Sequence, residues 1–133
     1  MLKKNWFTAL LIVFVLGTLP VLKAQGEIFD DISYSIESGN ANELAGFFAS
    51  RIELTILEEE DVYSRRQAEM VMSDFFEENS PQDFEVIHQG ASNEKARYAI
   101  GFLETSNGSY RTYVYVTEED DDKQIKELRF EKE

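Results

Sequence analysis

The spacing of apolar positions changes several times along this chain, and each change predicts an element. In "EIFDDISYSIESG", Ile28, Ile32 and Ile36 lie four apart with Phe29 beside them, which gives a helix one apolar face. Gly39 then supplies the left-handed stop common after a helix. In "NANELAGFF", Asn40 is placed to cap and Glu43 to reach back, starting a short second helix through Leu44, Phe47 and Phe48. "RIELTIL" switches to period two, with Ile52, Leu54 and Ile56 on one side of a strand and Glu53 and Thr55 on the other. The acidic stretch "EEED" reads as a turn and "VYS" as a short return strand. "SRRQAEMVMSDFFEEN" is the clearest helix: Ser64 and Gln67 form a capping box. Ala68, Val71, Met72, Phe75 and Phe76 make one broad stripe. Its terminal charges oppose the macrodipole, with Arg65 and Arg66 at the start and Glu77 and Glu78 at the end, so burial of the stripe must hold it.

After Pro81 the chain reads as four strands, "FEVIHQG", "RYAIGFLETS", "SYRTYVYVT" and "QIKELRFEK". Asn107-Gly108 joins the middle two as a two-residue hairpin whose turn positions both need positive φ. That turn sets Glu104 opposite Arg111, Phe102 opposite Tyr113 and Ile100 opposite Tyr115. One face then carries Ala99, Gly101, Leu103, Tyr110, Thr112, Val114 and Val116. These small and branched residues suit close approach of a helix. The other carries Tyr98, Ile100, Phe102, Glu104, Arg111, Tyr113 and Tyr115, with a Glu104–Arg111 pair expected.

The opening of the chain needs a different reading. "MLKKNWFTALLIVFVLGTLPVLKAQG" has a basic start, a short apolar run and a small residue at Ala24, the layout of a secretory signal peptide. Cleavage after Ala24 divides the chain into a signal, 1–24, and a single α+β domain, 25–133. The apolar run is shorter than the roughly 20 residues a membrane span needs, so an uncleaved anchor is the weaker alternative and no stable anchor is expected after cleavage. The expected location is secreted or periplasmic. Cleavage removes Lys3, Lys4 and Lys23 and no carboxylate. Lys plus Arg falls from 13 to 10 against 26 Asp plus Glu, and net charge goes from −13 to −16. So acidic a chain is repelled by nucleic acid and by anionic lipid. The chain has no cysteine, so neither a disulfide nor a lipid-modified cysteine is available. The single tryptophan, Trp6, lies in the signal.

The order helix, helix, strand, short strand, long helix and four antiparallel strands resembles the nuclear transport factor 2-like (cystatin-like) superfamily. More narrowly, "SGNANELA", "VYSRRQAE", "DFF", "HQG", "YAIG" and "TSNGSYR" resemble a small family of secreted bacterial proteins, common in Bacteroidota, carried as a domain of unknown function (DUF4783-type). The resemblance covers roughly Ile28 to Glu131. It implies three helices packed on a strongly bent, mostly antiparallel sheet, a cone that often encloses a pocket. The narrower family implies no reaction, ligand or catalytic residue. Other branches of the superfamily include isomerases, dehydratases and many non-catalytic binding or dimerising modules.

Candidate chemistry is sparse. His88 is the only histidine and shares a period-two face with Phe84 and Val86, while Gln89-Gly90 ends its strand. It is the one polar group expected at a pocket. A general base needs an orienting carboxylate, and none is spaced for that on its strand, so the expected role is a half-buried ring bonded to loop backbone. The superfamily's enzymes place carboxylates, histidines or tyrosines inside the cone, parts for which Asp61, Tyr63, His88 and Tyr110 are the candidates. No spacing links them. The acidic runs 58–61 and 118–122 lack the alternating ligands and bend glycine of a calcium loop and read as solvated hairpin turns. No cofactor, metal site or catalytic residue is expected. The positive feature is the aromatic face: Tyr98, Phe102, Tyr113 and Tyr115 with Arg111 have the makeup of an interface. The expected function is an exported, non-catalytic binding module for an unknown protein or small-molecule ligand. It would act through that face, with a sheet-to-sheet homodimer as leading form, or through a small apolar pocket. The alternative is an isomerase or dehydratase working inside the cone.

Overall fold

The computed structural model describes residues 27–133. The expected signal, 1–24, lies outside them, and no helix among the described residues is long and apolar enough to cross a membrane. The order is α1 (Glu27–Glu37), α2 (Ala41–Ala45), β1 (Phe48–Ile56), β2 (Glu59–Ser64), α3 (Arg65–Glu78), β3 (Pro81–Asn93), β4 (Ala96–Thr105), β5 (Gly108–Glu119) and β6 (Asp122–Lys132). The six strands form one sheet in the order β2-β1-β6-β5-β4-β3. Only β1 and β6 run parallel; their neighbours are antiparallel.

The helices bury the faces their spacing predicts. Phe29, Ile32 and Ile36 of α1 and Ala68, Met72, Phe75 and Phe76 of α3 are buried, meeting Leu54, Leu103, Val114, Leu128 and Phe130 of the sheet in one core. Gly39 takes the left-handed conformation after α1, at φ +65°. Asn40 Oδ1 accepts the Glu43 amide at 2.9 Å. The Glu43 carboxylate reaches back to the Asn40 side-chain amide and to the buried Ser35 hydroxyl, not to the Asn40 backbone. Ser64 and Gln67 make the capping box of α3 in full.

Several expectations are corrected. The second helix stops at Ala45, capped by Gly46, and Phe48 begins β1, where burial along a period of two outweighs the helical spacing of Leu44, Phe47 and Phe48. Glu59, Glu60 and Asp61 belong to β2, with Leu57 at φ +60° in the turn before them. The strongly bent cone is not found: the sheet is not strongly curled. Register shifts interrupt the pairing of β1 with β6, of β3 with β4 and of β5 with β6. Large side chains, among them Phe48, Met72, Leu103 and Phe130, fill the space between helices and sheet.

The β4–β5 hairpin turns one residue earlier than the Asn-Gly signal predicts. Thr105 pairs with Gly108, so Ser106 and Asn107 are the central residues and only Gly108 has positive φ, +113°. The Thr105 hydroxyl accepts the Asn107 amide at 3.1 Å and donates to Gly108 O at 2.7 Å. Ser106 also exchanges bonds with Ser80 in the loop after α3. These contacts pin the tip. The register is therefore offset by two: Glu104 faces Ser109, Phe102 faces Arg111, Ile100 faces Tyr113 and Tyr98 faces Tyr115. An even offset preserves every residue's side of the sheet, so the sorting into faces stands.

Candidate functional site

The side of the sheet away from the helices gathers the candidate residues. Registers across all six strands lay it out in transverse rows. One row runs Gly90, Tyr98, Tyr115, Glu127, Glu53 and Val62; the next runs His88, Ile100, Tyr113, Arg129, Thr55 and Glu60. Phe102, Arg111 and Glu131 follow in the third. Tyr98, Phe102, Tyr113 and Tyr115 are half-buried and Arg111 is exposed. The five sequence-predicted face residues thus lie together. The expected Glu104–Arg111 pair does not form, because the register offset puts Ser109 beside Glu104, whose carboxylate accepts the Ser109 hydroxyl at 2.6 Å.

His88 belongs to this face. Ile87 is a bulge between Val86, which pairs with Gly101, and His88, which pairs with Ile100, and the extra residue swings His88 away from the side of Phe84 and Val86. The strand also continues beyond Gly90 to Asn93. His88 is exposed, and its Nε2 lies 2.9 Å from the Tyr98 hydroxyl rather than on loop backbone. Tyr98 in turn stacks on Tyr113, with centroids 6.3 Å apart and planes 25° off parallel. The Tyr98 ring lies against Gly90, where a Cβ would come within 2.8 Å of its hydroxyl oxygen. Nothing in a period-two reading signals the bulge, and that period alone puts His88 on the side of Phe84 and Val86.

The β6 side of the face is charged. Arg129 donates to Glu127 at 2.6 Å, stands 3.8 Å from Glu131 and lies 5.7 Å over the Tyr113 ring. Ile100, Arg111, Tyr113, Arg129 and Glu131 enclose a depression of about 190 Å³. Burial, and then the charge of Glu127, raise the Tyr113 hydroxyl above the usual tyrosine range. The Glu53 carboxyl is raised first by a hydrogen bond with Glu60, then by burial and by the charges of Glu127 and Glu60, with Arg129 pulling the other way. Sequence reasoning missed this acidic half, although Glu53, Glu127 and Glu131 alternate correctly for it; their neighbours across strands follow only from the parallel β1–β6 pairing.

The candidate enzyme residues do not converge. Asp61 is exposed on β2 and accepts its neighbour's backbone amide, while His88 is on the outer face. Tyr110 is buried among the helices and donates to Asn79 Oδ1 at 2.7 Å. Tyr63 lines a groove of about 180 Å³ between α3 and the β1–β2 hairpin, with Glu59, Asp74 and Glu78 at its rim. Among the described residues no group of three histidine, aspartate or glutamate side chains is placed to hold a metal ion.

Residues 29–131 match the model of a domain of unknown function, DUF4783. This chain belongs to the DUF4783 family. No curated protein matches it. Its fold is similar to that of a DUF4783 family protein from Bacteroides uniformis, at 26% identity and a TM-score of 0.74, covering 78% of this chain and 95% of that one. A DUF4783 family protein from Bacteroides fragilis is 24% identical, with a TM-score of 0.73, over 87% of this chain and all of that one. An NTF-2 like protein of unknown function from Silicibacter pomeroyi shares 10% identity and a TM-score of 0.61, over 80% and 91% of the two chains. The DUF4783 chain thus carries an α+β fold of the nuclear transport factor 2-like kind, with three helices on a six-strand mixed sheet.

Proposed function

We propose that this protein is a non-catalytic binding module that engages its partner through the open sheet face. The observation that supports this is the gathering of Tyr98, Phe102, Tyr113 and Tyr115 on the side that α1, α2 and α3 leave uncovered, while the side those helices occupy is filled by core side chains. Half-exposed rings suit recognition, since they bring large contact area with few rotatable bonds to order. The β3 edge of the sheet is a poorer docking site. The β3 edge is bulged, and its Phe84 amide already donates to Glu37 Oε1 at 3.0 Å. The scattering of Asp61, Tyr63, His88 and Tyr110 favours binding over isomerase or dehydratase chemistry in a cone.

Tyr113→Glu and Tyr115→Glu test the reading. Each is expected to abolish association measured by sizing and crosslinking, with a second copy or with envelope proteins, while circular dichroism stays native. Unchanged association in both variants overturns it. We further infer export with removal of residues 1–24. An exported form lacking Trp6 fluorescence and short by that segment in intact mass supports export, and a tryptophan-containing cell-surface form contradicts it.

A further inference from the structure

The open face already holds one cation in a recognisable seat. Arg129 is clasped by Glu127 and Glu131 and lies over Tyr113. The adjoining row repeats the same materials without a basic side chain: Tyr98 and Tyr115 run directly into Glu127 and Glu53. A cation there would have a ring face on one side and carboxylates on the other. Glu60 joins Glu53 from β2, while the arginines Arg129 and Arg111 sit in the next two rows, Arg111 opposite Glu131. Glu53 holds its proton more tightly than usual, first through a hydrogen bond with Glu60, then through burial and the charges of Glu127 and Glu60. A second observation lies within the patch. Thr55, 9% exposed, occupies the same face between Arg129 and Glu60, and its hydroxyl oxygen has no hydrogen-bond partner.

We propose that this row docks a cationic peptide: an extended segment laid across β4, β5, β6 and β1, with a lysine or arginine side chain over Tyr115 between Glu127 and Glu53. The proposal rests on the open face being the binding surface and names its partner class. A second copy fits less well, because sheet-to-sheet pairing brings two acidic patches into one interface on chains of net charge −13. At the β3 edge strand addition is disfavoured by the bulges and by the Phe84 amide's bond to Glu37, and the proposed contact runs through side chains on the face.

The test titrates the purified protein with fluorescein-labelled oligolysine, with oligoglutamate as control, at low and high salt. Glu53→Gln combined with Glu127→Gln is expected to weaken oligolysine binding by roughly tenfold, as two partly exposed ion contacts would. Glu77→Gln with Glu78→Gln removes the same charge from the far end of α3 and is expected to change affinity by less than about twofold, distant exposed charges being screened. Tyr115→Leu, which keeps apolar bulk and loses the ring face, is expected to cost about threefold. Equal losses in the two glutamine pairs, or no binding to the native protein, overturn the proposal. If the glutamine pair has no effect while Tyr113→Glu dissolves a dimer on sizing, the cationic partner fails and the open-face reading stands. If no tyrosine variant changes any association, both fail.

Discussion

His88 Nε2 and the Tyr98 hydroxyl are 2.9 Å apart on the side of the sheet opposite α1, α2 and α3, across the β3–β4 pair. The contact depends on two local features: the Ile87 bulge, which turns the imidazole outward, and Gly90, which leaves room for the Tyr98 ring.

Two glycine substitutions separate these roles. At Gly90 an added Cβ meets only the far end of Tyr98, a side chain that can swing away. Gly90→Ala is expected to fold with a loss below about 1 kcal/mol while the His88–Tyr98 contact disappears, seen as a change in the His88 imidazole resonances. At Gly101 the Cβ would meet Glu85 O and the buried Phe84 ring, both at 2.7 Å. Gly101→Ala is therefore expected to cost about 1–3 kcal/mol in chemical denaturation. Equal losses at the two sites would contradict the assignment.

Two buried hydroxyls on β5 should behave in opposite ways. Tyr110 donates to Asn79 Oδ1, and Asn79 Nδ2 donates to Phe75 O at 3.0 Å, so the pair ties β5 to the end of α3. Tyr110→Phe leaves a buried carbonyl unsatisfied and is expected to cost about 1–3 kcal/mol. Thr112 is fully buried with its hydroxyl unpartnered. Thr112→Val removes a desolvated group without opening a cavity and is expected to be neutral or stabilising in the same denaturant assay.

Helix α3 has a sound cap and adverse terminal charges. Ser64→Ala breaks the capping box and is expected to cost about 0.5–2 kcal/mol. Arg66→Glu and Glu78→Lys are each expected to add about 0.3–1 kcal/mol at low salt, fading as salt rises. Arg65 should be left in place, because its Nε donates to Phe48 O at 3.0 Å and joins the helix to β1. Thermal melts across a salt series check these signs.

The acidic patch predicts a pH dependence. Glu53 has a raised folded-state pKa, chiefly from the hydrogen bond with Glu60. The fold thus favours its protonated form. That contribution is full below the unfolded value and is lost as pH rises through the folded one. Glu53→Gln mimics the protonated form, so it is expected to raise the melting temperature near about pH 7 and to give no gain near about pH 3. A gain that persists in acid would show that the benefit is not electrostatic.

Much of the fold was legible because its signals are local. The stripes of α1 and α3, the Ser64–Gln67 cap, the Gly39 stop and the alternation in β4 and β5 each act within a few residues, where backbone geometry alone fixes which side chains share a face. The tyrosine face is legible for the same reason, and the two-residue register offset at the turn leaves it intact because the offset is even. The end of α2 is not legible, because Leu44, Phe47 and Phe48 satisfy a helical spacing that only burial in β1 overrides.

Tertiary structure decided what depends on partners distant in sequence. The turn at Ser106-Asn107 is pinned partly by Ser80, 26 residues away. The side on which His88 emerges follows from a bulge set by pairing with β4. The acidic patch exists because β1 and β6 lie side by side, which brings Glu53 to Glu127. The sequence by itself determined the elements and their apolar faces, since hydrophobic period is a property of the local backbone. Which charges and rings meet on the open side was decided by strand order and register, which arise only when the whole sheet closes over one core.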